Sequence, residues 1–177
     1  LARLSSWAAM PSLAVAARAI ATDLGGTQVA TVGSLTLHPN LVNVVPAHAT
    51  MTVDLRNTDE TLLRQAEQQL MDSVQQIADR EDINVESRSL ARFEPVEFDR
   101  RVVDAIEALA QEKGLSTRRM PSGAGHDAQM IARVCPTGMI FVPSLDGISH
   151  NPAEHTDDED LVAGTQLLAD AMLALTE

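Results

Sequence analysis

The sequence contains very few aromatic residues and a single cysteine. Its 177 residues include three phenylalanines, one tryptophan and no tyrosine, although 45% of them are hydrophobic. A folded core must therefore be aliphatic, built from Leu, Val, Ile, Ala and Met. Cys135 is the one cysteine, so an internal disulfide framework is excluded and a reducing compartment is favoured. We therefore expect a cytoplasmic protein.

Basic residues and long apolar runs are also scarce. The chain has 13 Lys and Arg residues against 25 Asp and Glu residues, which gives a net charge of −12. The lack of a basic run argues against nucleic-acid binding, and the acidic balance argues against docking on anionic membranes. No apolar run approaches the ~20 residues that span a bilayer. We therefore expect neither nucleic acid nor a membrane as a partner.

The first part of the chain has the pattern of an α+β domain. Hydrophobic periodicity predicts helix, strand, strand, helix and strand, over residues 11–23, 28–38, 47–56, 59–80 and 83–93. Pro11 suits the first position of the first helix, and Asn57 or Thr58 can cap the second. This order is a β-α-β-β-α-β unit, ferredoxin-like and antiparallel, without its first strand. Because the chain begins at Leu1 without a methionine or a signal peptide, we expect that the sequence holding this strand has been removed.

The second part alternates helix and strand in an α/β pattern. The predicted elements are a helix capped by Asp99, a strand over 115–120, a short helix ending near Arg133, a strand over 138–142 and a last helix from a Thr156/Glu159 capping box. The run GMIFV at 138–142 is typical of a strand buried on both faces. Ligands collect at the carboxyl ends of such strands, and two loops that carry histidines follow these strands.

The two loops are GAGHDAQ at 123–129 and DGISHNPAEHT at 146–156. Neutral imidazole is a common zinc ligand, and a neighbouring carboxylate can orient it. His150 is therefore a candidate metal ligand, with a surface histidine in an acidic loop or an acid–base group as alternatives. The glycines before His126 let backbone N–H groups approach an anion, and the alternative is a tight turn that caps a helix.

Arg56 ends an alternating strand on its polar face. A guanidinium in this position can bind a carboxylate through two hydrogen bonds, and a cross-strand ion pair near Asp54 is the alternative. Nucleophilic catalysis is disfavoured, because Cys135 precedes a proline and neither Ser144 nor Ser149 has a G-x-S-x-G context. The five histidines include no H-x-x-x-H pair, so spacing alone predicts no complete zinc site.

Three motifs together resemble the hydantoinase/carbamoylase family of metal-dependent amidohydrolases. They are LVNVVPAHATMTVDLR, SGAGHDAQ and MIFVPSLDGISHNPAEHT, in this order, and the resemblance covers about residues 27–177. Members include N-carbamoyl-L-amino-acid hydrolases, allantoate amidohydrolases and β-ureidopropionases, which are related to zinc aminopeptidases. The resemblance implies that residues 1–95 form a lid and dimerisation domain. Residues 96–177 would form the C-terminal part of a mixed-sheet catalytic domain.

The same resemblance assigns roles to individual residues. His150 in SHNPAE matches a metal ligand, while Asn43 and Arg56 match the residues that hold the substrate carboxylate. The loop that would line the substrate pocket contributes Gly123, Ala124 and His126. No catalytic residue is expected within the chain, because the glutamate general base and the other metal ligands would lie upstream of Leu1.

For the whole enzyme, the resemblance implies two divalent metal ions per full-length subunit, zinc, manganese or similar. Metal-activated water would cleave the C–N bond of a small carboxylated ureido or N-carbamoyl substrate, in a homodimer formed through the lid. The isolated chain is then expected to be inactive. Two alternatives stay open: a non-catalytic ligand-binding or dimerisation module, and a related metallopeptidase or deacylase.

Overall fold

The computed structural model describes the backbone of residues 6–176 and the side chains from Ala9 onward. The expectation that Leu1 is a truncation point therefore lies outside the described residues. The chain divides into two compact units, of which one ends at Pro95 and the other begins at Val96. No helix within residues 6–176 combines the length and the apolar character needed to cross a bilayer.

Within residues 6–95, the first unit contains two helices and one hairpin: α1 (Ser6–Leu24), β1 (Val29–His38), β2 (His48–Arg56) and α2 (Glu60–Glu81). The start predicted for α1 is wrong, because the helix encloses Pro11 instead of beginning there. Ala9 and Met10, which precede this proline, are buried in the core, and their burial offsets the backbone hydrogen bond that proline removes. The helix ends at Gly25 and Gly26, both left-handed, as the glycine pair predicted.

The two strands pair antiparallel in a hairpin. The register places Val29 opposite Arg56 at one end and His38 opposite His48 at the other, with an irregularity at Gly33. One face of the hairpin is covered by both helices, since Ala49 and Met51 of β2 pack against the buried cluster. That cluster consists of Ala9, Met10, Leu13 and Ile77. The predicted alternation of β2 and the aliphatic core are therefore confirmed.

The third strand predicted for this unit is absent. Residues 83–93 contain neither a helix nor a paired strand. In a β-α-β-β-α-β unit the last strand pairs with the first, and no strand precedes α1 within the described residues, so this segment finds no ladder. It is instead tied to α2 through Arg92, whose Nη2 lies 2.9 Å from Glu60 Oε1 and whose Nε lies 2.9 Å from Glu67 Oε1. The hydrogen bonds from Arg92 lower the pKa of the Glu60 carboxyl below its ordinary value.

In the described part of the second unit, residues 96–176, there are three helices and one short 3-10 turn: α3 (Arg100–Glu112), α4 (Asp127–Ile131), the turn Leu145–Gly147 and α5 (Asp158–Ala174). Asp99 caps α3 as predicted, accepting a hydrogen bond from Arg101 N at 2.9 Å. The predicted capping box of α5 is wrong. Its cap is Asp157, because Thr156 donates its hydroxyl hydrogen to Pro143 O at 2.8 Å.

The strands predicted at 115–120 and 138–142 are also absent, because neither segment pairs with another within residues 96–176. Residues 138–142 nevertheless contact two helices. A Cβ added to Gly138 would lie 2.9 Å from Val102 Cγ1 of α3, and one added to Gly164 of α5 would overlap Val142 Cγ1. Phe141 remains 49% exposed, so the predicted burial on both faces is incomplete within this unit.

Candidate functional site

The SHNPAE motif lies in a loop whose two ends are joined by hydrogen bonds. Leu145 N donates to His155 O at 2.8 Å, and Thr156 Oγ1 donates to Pro143 O. Within the loop, Gly147 N donates to Ser144 O at 2.9 Å. The loop is therefore closed at its base and ordered inside by local backbone bonds, and it presents the side chains between residues 148 and 154 to solvent.

His150 has a left-handed backbone, with a φ of 57°. This conformation costs a non-glycine residue about 1–2 kcal/mol, and such residues cluster at functional sites. Its backbone N–H donates to Glu154 Oε2 at 2.8 Å. The neighbouring imidazole of His155 has a different environment, since its Nε2 lies 3.3 Å from Asp157 Oδ1. The acidic residues of this loop thus hold the His150 backbone and the His155 ring.

The described residues do not form a complete metal centre. Within residues 6–176, no group of three or more His, Cys, Asp or Glu side chains could hold a metal ion. A structural zinc takes four protein ligands and a catalytic zinc takes three plus water. His150 can therefore supply at most one ligand of such a centre.

His126 caps the short helix α4. Its Nδ1 accepts a hydrogen bond from Ala128 N at 3.0 Å, and its backbone is extended. The helix-cap alternative raised for this histidine is therefore confirmed. A neutral imidazole that accepts through Nδ1 carries its proton on Nε2, so His126 presents Nε2–H as a donor. The space beside the preceding glycines is empty, because a Cβ added to Gly123 or Gly125 would meet no atom within 4 Å.

Ala124 belongs to the same loop and is held by Ser122. The Ala124 backbone N donates to Ser122 Oγ at 3.3 Å, and Ser122 Oγ donates in turn to Ala124 O at 3.3 Å. The pocket residues that the resemblance suggests, Gly123, Ala124 and His126, therefore all lie in the second unit, in the loop before α4. His150 lies in the same unit, in the loop before α5.

In the first unit, Arg56 is paired with Asp54 on its own strand. Arg56 Nε lies 2.8 Å from Asp54 Oδ1 and Nη2 lies 3.0 Å from Oδ2. This ion pair lies within one strand, because residues two apart in a strand share a face and are near neighbours. The hydrogen bonds that Arg56 donates to the Asp54 carboxylate raise the pKa of Arg56. Asp54 thus orients an exposed guanidinium without removing it from solvent.

A buried polar network anchors the backbone under Arg56. Asn57 and Gln28 are 9% and 7% exposed, and Asn57 Nδ2 donates to Gln28 Oε1 at 2.9 Å. Gln28 Nε2 donates to Arg56 O at 3.1 Å, while Asn57 Oδ1 accepts from Asp59 N at 2.9 Å. Asp59, rather than Asn57 or Thr58, is the cap of α2. The cap prediction failed because Asn57 is used to join the end of β2 to the start of β1.

Asn43 lies in the exposed loop that connects β1 to β2. Ala47 N donates to His38 O at 2.9 Å and closes this loop at the His38 end of the hairpin. Arg56 lies at the opposite end, opposite Val29. Because β2 has 9 residues and a strand rises about 3.3 Å per residue, about 26 Å separates the two ends. Within one chain, the structure therefore does not bring Asn43 and Arg56 together.

Comparison with known proteins gives consistent matches along most of the chain. The sequence profile of peptidase family M20/M25/M40 matches residues 10–174. An allantoate amidohydrolase from Escherichia coli (strain K12) is 44% identical over 149 residues, which are 84% of this chain and 36% of that protein. An N-carbamoyl-L-amino-acid amidohydrolase from Rhizobium meliloti is 32% identical over 175 residues, 99% of this chain and 42% of that protein.

Solved structures agree with the sequence matches. An amidase of the hydantoinase/carbamoylase family from Burkholderia vietnamiensis superposes with a TM-score of 0.92 at 36% identity, covering 97% of this chain and 41% of the other. The chain thus spans about two fifths of the length of the relatives it matches.

Proposed function

Because the chain belongs to peptidase family M20/M25/M40, we propose that it forms part of a metal-dependent amidohydrolase that cleaves the C–N bond of small carboxylated ureido or N-carbamoyl compounds. The observation that carries this proposal is the Arg56 guanidinium, exposed at a strand end and oriented by Asp54. Such a group recognises a substrate carboxylate with two parallel hydrogen bonds. Two of the relatives are named for allantoate and N-carbamoyl-amino-acid hydrolysis, which supports the substrate class.

The two units have separate roles in the proposal. The first unit is proposed to serve as the lid and dimerisation domain, and we assign its hairpin and two helices to part of a ferredoxin-like unit. The second unit serves as the C-terminal part of the catalytic domain and contributes the loops of His126 and His150. The proposed location is the cytoplasm, for which the single cysteine is the argument.

His150 is proposed as one ligand of a divalent metal. The described residues do not complete the centre, and the chain spans only about two fifths of its relatives. The remaining ligands and the general base are therefore assigned to the rest of a longer protein, which would hold two divalent ions per subunit. His126, whose Nε2–H is available as a donor, is assigned to a substrate oxygen in the pocket, beside Gly123 and Ala124.

The substrate class is tested by kinetics on matched compounds. We expect the complete gene product that contains this chain to release ammonia from an N-carbamoyl amino acid or a ureido acid. The N-carbamoyl amine without the carboxyl group should lose roughly 10- to 150-fold in kcat/KM, since a hydrogen bond to a charged group is worth about 1.5–3 kcal/mol. Faster cleavage of N-acyl amino acids or dipeptides would favour the related deacylase or metallopeptidase instead.

The positions of Asn43 and Arg56 extend the proposal to a homodimer. Asn43 lies in the loop at one end of the hairpin and Arg56 lies at the other end, about 26 Å away along the strand, so one carboxylate is not expected to reach both side chains of the same chain. If both bind substrate, the site that uses Arg56 of one subunit must use Asn43 of a second copy. A two-fold dimer makes two such shared sites, because each copy gives and receives the same groups.

This arrangement predicts complementation between two defective subunits. Mixing Asn43→Ala subunits with Arg56→Ala subunits should restore about a quarter of wild-type activity, because about half of random dimers are mixed and each mixed dimer keeps one intact site. The measurement is activity at low substrate concentration after unfolding and refolding the two variants together. The two variants refolded separately and then pooled are the control. If mixed dimers form and no activity returns, both residues act within one chain or only one binds substrate.

A further inference from the structure

The His150 backbone is held by a carboxylate that the proposed reaction does not use. The short segment after His150 forms a tight turn, in which Glu154 N donates to Asn151 O at 2.9 Å and Ala153 N donates to Asn151 Oδ1 at 2.9 Å. This turn includes Pro152, which fixes its own φ and restricts Asn151 before it. The turn therefore sets the position of the Glu154 backbone relative to His150.

From this position the Glu154 side chain reaches back to His150. Its Oε2 accepts the His150 backbone N–H at 2.8 Å, while His150 keeps its left-handed φ of 57°. A side-chain oxygen that accepts a backbone N–H stabilises the conformation that brings the two together, whether the acceptor is a carboxylate or an amide. Such a bond can therefore offset the cost of a left-handed conformation at a residue that is not glycine. The direction in which the His150 side chain leaves the loop depends on that conformation.

We propose that Glu154 is a positioning residue, which clamps the backbone of His150 in the left-handed conformation and so fixes the direction of its imidazole. The inference rests on the proposed function of His150 as a metal ligand, but the clamp itself is a property of the loop. Glu154 acts through its oxygen as an acceptor at a defined distance, and its negative charge is not the feature that matters.

Two conservative variants separate these two properties. Glu154→Gln keeps an oxygen acceptor at the same distance and removes the charge, whereas Glu154→Asp keeps the charge and shortens the side chain by one methylene. The clamp predicts that Gln resembles the wild type and that Asp resembles Glu154→Ala. A direct role of the charge, as a metal ligand or in acid–base work, predicts the reverse order. Glu159→Gln, an exposed glutamate in the first turn of α5, is the matched control.

The direct readout is the amide hydrogen exchange of His150, measured by NMR on the protein and its variants. We expect protection in the wild type and in Glu154→Gln, and exchange about tenfold faster or more in Glu154→Asp and Glu154→Ala, because the bonded amide opens more often. In the complete gene product, kcat/KM should fall roughly 10- to 100-fold in the Asp and Ala variants, as for other groups that orient metal ligands. Glu154→Gln should stay within about threefold of the wild type.

Unchanged His150 exchange in Glu154→Ala would overturn the proposal, and so would a Gln variant as impaired as Ala while its His150 amide remains protected. The exchange experiment needs neither metal nor substrate. If exchange follows the predicted order and the complete protein hydrolyses no ureido or carbamoyl compound, the clamp stands and the proposed function fails. If activity is present and exchange does not follow that order, the clamp fails alone.

Discussion

In the complete protein, Arg56→Ala is expected to raise KM for carboxylated substrates by roughly 10- to 150-fold, since each hydrogen bond to a charged group is worth about 1.5–3 kcal/mol. The guanidinium would contact the carboxylate in both ground and transition states, so kcat should change little. The measurement is steady-state kinetics on an N-carbamoyl amino acid and on the matching N-carbamoyl amine. The amine should lose nothing further in the variant, because it lacks the group that Arg56 binds.

Arg56→Lys is the matched control for this prediction. Lysine keeps the charge but not the planar fork that Asp54 orients through two bonds, so an intermediate KM is expected. An unchanged KM for the carboxylated substrate in Arg56→Ala would remove this residue from the site. An equal loss with both substrates would show that the substitution damages the end of β2 rather than carboxylate binding.

His150→Ala is expected to lower kcat/KM by more than about 100-fold. This loss is larger than the roughly 10- to 100-fold loss that is typical when a residue that only orients a metal ligand is replaced. His155→Ala provides a control in the same loop, since this exposed histidine pairs with Asp157 at 3.3 Å. The kcat/KM of His155→Ala should stay within about twofold of the wild type, because most surface substitutions have small effects. Equal losses in the two variants would mean that the loop as a whole, rather than the His150 imidazole, supports activity.

Much of the fold could be predicted from the sequence because local patterns carry it. The alternation of residues 47–56 identifies the inner face of β2, and Ala49 and Met51 do pack on the core. The three further strands were wrong for a common physical reason. An alternating pattern or an apolar run indicates which side chains a strand would bury. The strand itself forms only where a second segment supplies the partners for its backbone hydrogen bonds. Residues 83–93, 115–120 and 138–142 find no such partner in the described part of the chain.

The caps were less predictable than the helices. Ser, Thr, Asn and Asp all make good caps, and the choice among adjacent candidates depends on tertiary contacts. Asn57 is drawn into the buried pair with Gln28, which leaves the cap of α2 to Asp59. Thr156 bonds to Pro143, so α5 begins one residue later than its capping box indicated.

The resemblance to the hydantoinase/carbamoylase family is confirmed by the family, sequence and structure matches, and it supplied the candidate site residues. The groups that support them were not visible in the sequence. Glu154 contacts the backbone of His150, and Gln28 contacts the backbone of Arg56. Bonds from side chains to backbone atoms leave no periodic signal, so only the structure reveals them.

The most direct measurement is a calorimetric titration of the metal-free 177-residue protein with zinc, in the wild type and in His150→Ala. We predict weak binding that differs little between the two, because His150 is a single ligand and a zinc centre needs three or four from protein. Tight binding with a defined stoichiometry that is lost in His150→Ala would contradict this account. The chain would then hold a complete metal site, and the assignment of the other ligands to the rest of a longer protein would be wrong.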